Sequence, residues 1–176
     1  DEFEDRFISQ YALAMGRAAL IQREQGGYRL QSDMLSENQD PIPNAIIDSV
    51  IGKRVLSERG GSSSRGKSSR DIREFALSEL NLISYGLMRM GCRNEDYLMR
   101  SCELFARRAA ELTDIELVNV LYAHAKLQYL HIEMIRALLD EIERRNMLAT
   151  FDPLQVATLA YSMALYRLRA DWLFNG

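Results

Sequence analysis

The stretch Gly61-Ser62-Ser63-Ser64-Arg65-Gly66-Lys67-Ser68 fits the pattern G-x-x-x-x-G-K-[ST]. In that pattern backbone N–H groups cradle phosphates, the lysine reaches the terminal phosphates and the final hydroxyl holds magnesium. The chemistry needs an apolar strand before the loop, so that the glycines turn from a sheet edge into a helix whose N-terminus faces the anion. Here KRVLSERG precedes it, a polar helical end, and no later run of aliphatics closes on an Asp to hold magnesium. The motif therefore reads as a Gly/Ser-rich tether rather than a nucleotide site. Its cations Arg59, Arg65, Lys67 and Arg70 are available to settle onto phosphates of a larger partner.

Other reactive side chains do not assemble into chemistry by their spacing. Cys92 and Cys102 have no C-x-x-C partner, which suggests buried thiols rather than a zinc site or a disulfide framework. His124 falls on an apolar side of its helix, and with His131 it finds no carboxylate or thiol to complete a ligand set. Carboxylates follow outward helical faces, and no Ser–His–acid arrangement emerges. The reading is of a non-catalytic chain without cofactor, metal or bound nucleotide.

The elements that position these residues are helical. Pro is scarce at three residues, and the apolar fraction of 47% is that of a folded domain, so the expected class is all-α. Net charge is −3, which argues against bulk electrostatic capture of nucleic acid. The basic residues are concentrated in the middle, with seven Lys/Arg against two Asp/Glu over 52–73. No apolar run is long enough to span a bilayer, and the acidic start DEFED is not a targeting peptide. The chain opens at Asp1 rather than Met and stops at WLFNG inside an apolar pattern, the look of a segment cut from something longer.

Three regions follow. Residues 1–58 read as a helical hairpin with a long insertion, 59–70 as a flexible basic linker, and 71–176 as tandem helical repeats. Expected helices run from Asp71 to about Met90, Asn94 to about Leu112, Thr113 or Asp114 to about Tyr129, His131 to Asn146, and Asp152 to about Arg169. A shift of 37 places Tyr85 on Tyr122, Gly86 on Ala123 and Arg89 on Lys126; a further shift of 39 places Tyr122 on Tyr161 and Asn119 on Thr158. A period of this size predicts an α-solenoid of three to four hairpins. Within each repeat one helix is apolar on two sides and keeps a narrow polar strip, so it is expected to be the inner helix of the stack.

That strip comprises Leu82, Gly86 and Arg89, then Asn119, Ala123 and Lys126, then Thr158, Ser162 and Leu165. Small residues would let a nucleotide approach, Asn119 and Thr158 would bond base edges, and Arg89 and Lys126 would neutralise phosphates. Tyr85, Tyr122 and Tyr161 are expected in the core. Arg107-Arg108 and Arg144-Arg145, at the ends of the outer helices, are expected to complement the helix dipole.

The segments IELVNVLYAHAKLQYLHIEMIRALLDEI, FDPLQVATLAYSMALYRLR and LSELNLISYGLMRMG resemble organellar helical-repeat proteins of the octotricopeptide and heptatricopeptide type, and the FAST-kinase-like repeats that often precede a RAP domain. The likeness centres on Asn119-Val120-Leu121-Tyr122-Ala123-His124-Ala125-Lys126-Leu127 and covers residues 75–175; no RAP domain is visible. The other repeats depart from the pattern, with Leu82 and Thr158 at the Asn position and Leu165 at the Lys position. The resemblance implies an RNA-binding protein of mitochondria or chloroplasts, a subunit of a ribonucleoprotein such as the mitochondrial ribosome, with ribosomal RNA and neighbouring proteins as partners. The alternative from the residues alone is a protein–protein scaffold with no RNA contact.

Overall fold

The computed structural model describes residues 10, 12–14, 47 and 72–168. The tether 59–70 and almost all of the N-terminal region 1–58 lie outside the described residues. Among those described, every regular element is helical: α1 (Leu77–Met90), α2 (Glu95–Arg107), α3 (Asp114–Lys126), α4 (Ile132–Arg144) and α5 (Pro153–Tyr166). The all-α expectation holds.

Each helix starts and stops where its sequence supplies a partner for the orphaned backbone groups of a helix end. Asn94 accepts from the Tyr97 N–H at 3.0 Å, and Asp152 and Gln155 bond each other's backbone reciprocally at 2.7 and 2.8 Å, with Pro153 at the first helical position. The Glu116 carboxylate accepts from both the N–H and the hydroxyl of Thr113 at 2.8 Å. His131 also caps, its Nδ1 accepting from the Met134 N–H at 3.2 Å. Gly91 ends α1 at φ 71°, a left-handed conformation that costs glycine nothing, and the Cys92 N–H then closes back on the Leu87 carbonyl at 2.9 Å.

Two boundaries differ from the sequence reading by more than a helical turn. The helix expected from Asp71 starts instead at Leu77, after a 3-10 turn at Ile72–Glu74. Ile72 and Phe75 are both buried, and their separation of three suits the tighter turn, which sends both into the core. The next helix, expected to reach Leu112, stops at Arg107 and gives way to a 3-10 turn at Ala109–Glu111. There Arg108 grips Glu111 through two bonds of 2.8 and 2.6 Å, and Leu112 turns inward at 1% exposure.

The helices pack in two rows. Helix α3 lies between α1 and α5, while α2 packs on α4. Residue size sets the approach within the first row. Gly86 is buried in α1, and a Cβ placed on it would lie 2.4 Å from the carbonyl oxygen of Ala12, so only glycine lets the N-terminal helical segment come this close. The repeat-equivalent positions hold Ala123 and Ser162, both fully buried.

Polar groups inside the core are mostly tied to the backbone. The Tyr97 hydroxyl lies 2.8 Å from Ser84 Oγ and donates to the Leu80 carbonyl at 3.2 Å, so the serine is the donor in their mutual bond and α2 is pinned to α1. Tyr166 donates to the Leu121 carbonyl at 3.2 Å and pins α5 to α3. Arg145 bridges the second row: it binds Glu141 on its own helix and donates to the carbonyls of Leu112 at 2.9 Å and Ala110 at 2.6 Å. His124 is fully buried, edge-on to Phe105 at 5.8 Å, and its Nδ1 lies 2.8 Å from the Val120 carbonyl. The carbonyl can only accept, so Nδ1 carries the proton, and burial lowers the pKa of the imidazole to about 4.

Two expectations follow. Gly86→Ala should destabilise the fold by about 1–3 kcal/mol through overpacking, seen as lower urea and thermal midpoints, although helix propensity alone would stabilise it by about 1 kcal/mol. The histidine makes stability pH-dependent. Its pKa in the folded state is below the unfolded value of 6.5, so the unfolded chain binds the extra proton: stability is full above pH 6.5 and is lost as pH falls toward 4. Thermal melts should show a loss on the order of 3 kcal/mol across that window, absent in His124→Leu. The Glu141 carboxyl, held near pKa 2 chiefly by the Arg144 guanidinium and further by Arg145, loses its contribution only below about pH 4.5, a separate window.

Candidate nucleic-acid interface

Seven residues make almost two full helical turns, so Leu82 and Arg89 share a face of α1, Asn119 and Lys126 a face of α3, and Thr158 and Leu165 a face of α5. Helix packing sets the three faces side by side. Leu82, Arg89, Asn119, Lys126 and Thr158 are all half-buried, and Leu165 is exposed. The polar candidates in the repeats are therefore at a surface, in two rows.

The small residues between those rows are not. Gly86, Ala123 and Ser162 were expected to open the strip to a nucleotide; all three are buried, and Gly86 is closed over by the backbone of Ala12 and Leu13. They sit about 40° round the helix from the half-buried rows, which is far enough to turn them into the helix–helix contact. Their size serves close packing rather than ligand entry.

The tyrosine series, which the sequence reading assigned to the core, lies at its edge: Tyr85 and Tyr122 pack against the core without being enclosed by it, and Tyr161 reaches the surface. Tyr85 and Tyr122 are half-buried and Tyr161 is 47% exposed. The rings of Tyr122 and Tyr161 stand 6.2 Å apart across the α3–α5 contact, tilted at 44°. The Arg89 guanidinium lies 5.5 Å from the Tyr85 centroid, and Lys126 reaches across to lie 5.7 Å from that of Tyr161. Each contact is a cation–π pair worth about 0.5–1 kcal/mol at such exposure. A signal was present in the sequence: Tyr85/Arg89 and Tyr122/Lys126 both carry a cation four residues after a tyrosine, one turn along the same face.

Thr158 has a narrower role than expected. Its hydroxyl donates to the Leu154 carbonyl at 2.7 Å, which leaves its oxygen only as an acceptor toward any ligand. Asn119, half-buried in the same row, has both an acceptor and donors in its amide. The face thus combines two cations, the aromatic rings they lie against and two short polar groups.

Five other arginines, Arg93, Arg107, Arg108, Arg144 and Arg145, are engaged with carboxylates. Arg107 approaches Glu103 at 3.7 Å, Arg108 holds Glu111, and Arg144 and Arg145 both hold Glu141. On the second row a cleft of about 310 Å³ is lined by Ile72, Arg73, Arg100, Glu103, Leu104 and Arg107. The tether cations Arg59, Arg65, Lys67 and Arg70 lie outside the described residues, as does the phosphate-loop-like motif. Among the described residues no three His, Cys, Asp or Glu side chains gather where they could hold a metal ion, and no helix is long and apolar enough to cross a membrane.

Compared with known protein families, with curated proteins and with solved structures, the chain finds no match.

Proposed function

We propose that this chain is an RNA-binding α-solenoid of a mitochondrial ribonucleoprotein, acting without catalysis by presenting one face of stacked helices to single-stranded or looped RNA. The observation that carries the reading is the tyrosine–cation ladder: Tyr85, Tyr122 and Tyr161 at one register of three successive first-row helices, with Arg89 and Lys126 against their rings. Aromatic rings accept unpaired bases irrespective of sequence, and the cations beside them lie where a backbone passing over those bases carries its charge. Asn119 and Thr158, in the adjoining row, supply the polar contacts. The tether cations Arg59, Arg65, Lys67 and Arg70 extend the positive surface in this reading. The mitochondrial setting, and ribosomal RNA as the ligand, are supported by the resemblance to organellar repeat proteins. The solenoid is supported by the 37- and 39-residue shifts together with the packing of α3 between α1 and α5 and of α2 on α4.

A second reading is a scaffold that contacts only proteins. Net charge of −3 and the pairing of Arg108, Arg144 and Arg145 with carboxylates favour it.

Fluorescence anisotropy with a labelled single-stranded RNA of mixed sequence separates the two. Affinity should fall steeply with salt, and Arg89→Ala combined with Lys126→Ala should reduce the log–log slope by about 1.4, the share of two phosphates on a single strand. Tyr161→Ala should weaken binding by about 1–3 kcal/mol without altering that slope, because stacking carries no counterion term. Absence of binding, or a slope that the double substitution leaves unchanged, would overturn the RNA reading and leave the scaffold.

A further inference from the structure

The arginines around α2 and α4 are not equally claimed by their neighbours. Arg108 and Arg144 meet carboxylates at 2.6 Å and Arg93 does so at 2.8 Å, separations of strong charge-assisted bonds. Arg107 stands 3.7 Å from Glu103, with the two side chains 68% and 47% exposed, a long contact for which water competes. Arg100 makes no ion pair with any carboxylate among the described residues.

The two loosely held cations share a cleft. Arg100, Glu103 and Arg107 are spaced three and four apart, so they follow one face of α2. The 3-10 turn Ile72–Glu74 packs on that helix and brings Arg73 to the same cleft, whose volume is about 310 Å³. Ile72 and Leu104, both buried, supply its apolar lining. Three guanidinium groups against one carboxylate leave an excess of two positive charges, in a chain whose net charge is −3. We propose that this cleft binds a small phosphate monoester, with the phosphate between Arg100 and Arg107 and the organic group against Ile72 and Leu104.

The charge and size of the cleft select that ligand. A phosphate monoester carries about −1.5 to −2 at pH 7, which balances the excess, whereas a single carboxylate or one phosphodiester link of an RNA strand balances half of it. The cations are all arginines, whose forked N–H groups match phosphate oxygens two at a time. Arg100 and Arg107 leave the helix about 10 Å apart along its axis, a gap that two such long side chains close around a shared anion. A space of about 310 Å³ takes a small molecule and not a strand or a folded partner. The site lies on α2 and the turn before α1, away from Arg89 and Lys126, so it does not rest on the RNA reading and either can fail alone.

Calorimetric titration of the intact chain with phenyl phosphate tests the proposal. Saturable binding of one equivalent is expected, and Arg100→Ala should weaken it about tenfold or more. Arg100→Lys, which keeps the charge but loses the fork, should weaken it as well and serves if the alanine variant melts early. Glu103→Gln should act in the opposite direction, tightening binding by up to about fivefold, because it removes the carboxylate that competes for Arg107. Arg89→Ala with Lys126→Ala should leave the titration unchanged. Absence of binding, or equal binding in wild type and both Arg100 variants, would overturn the proposal. Methyl phenyl phosphate, a diester, binding as tightly as the monoester would overturn it too and assign the cleft to an RNA backbone. A di-glutamate peptide binding more tightly than phenyl phosphate would overturn it in favour of an acidic segment of a partner protein.

Discussion

The contact on which the first row depends is the approach of one helix backbone to another at a single small residue. At Gly86 the chain leaves no room for even a methyl group before the Ala12 carbonyl. Ala123 and Ser162 hold the equivalent places with side chains that are completely buried. Small buried side chains at these points accompany helix contacts close enough for flanking side chains to meet, as in the Tyr122–Tyr161 and Lys126–Tyr161 contacts. The arrangement of the candidate surface is therefore a by-product of packing: small residues turn inward, and larger polar and aromatic ones are left at the rim.

This explains which parts of the site were legible in the sequence. Periodicity identified the helices and their caps, because Asn94, Thr113, His131 and Asp152 each act locally within one turn. It also placed Leu82, Arg89, Asn119, Lys126 and Thr158 on shared faces, since a helix fixes the angular position of each residue. Periodicity does not say which side a neighbour will take. Gly86, Ala123 and Ser162 looked like an opening because small residues at a polar strip suit ligand entry and close packing equally well; the tyrosines looked buried because an aromatic ring on a helix flank is usually core. That the small residues turn inward and Tyr161 outward is a tertiary fact, and at Gly86 it is fixed by the approach of Ala12 and Leu13.

The arginine pairs show a comparable limit. Their recurrence at helix ends is readable as dipole complementarity, yet Arg108 and Arg145 do different things at equivalent positions. Arg108 binds Glu111 in the following 3-10 turn, whereas Arg145 spans to the turn between α2 and α3. Glu141, buried beneath two guanidinium groups, makes the second arrangement possible and keeps its charge there. Sequence spacing contains the charges but not the reach of the side chains.

Arg145 has a temporal consequence. The carbonyls of Ala110 and Leu112 are satisfied by a donor 33 to 35 residues later in the chain. During synthesis the turn between α2 and α3 is thus complete in sequence well before the Arg145 donor for its two carbonyls emerges.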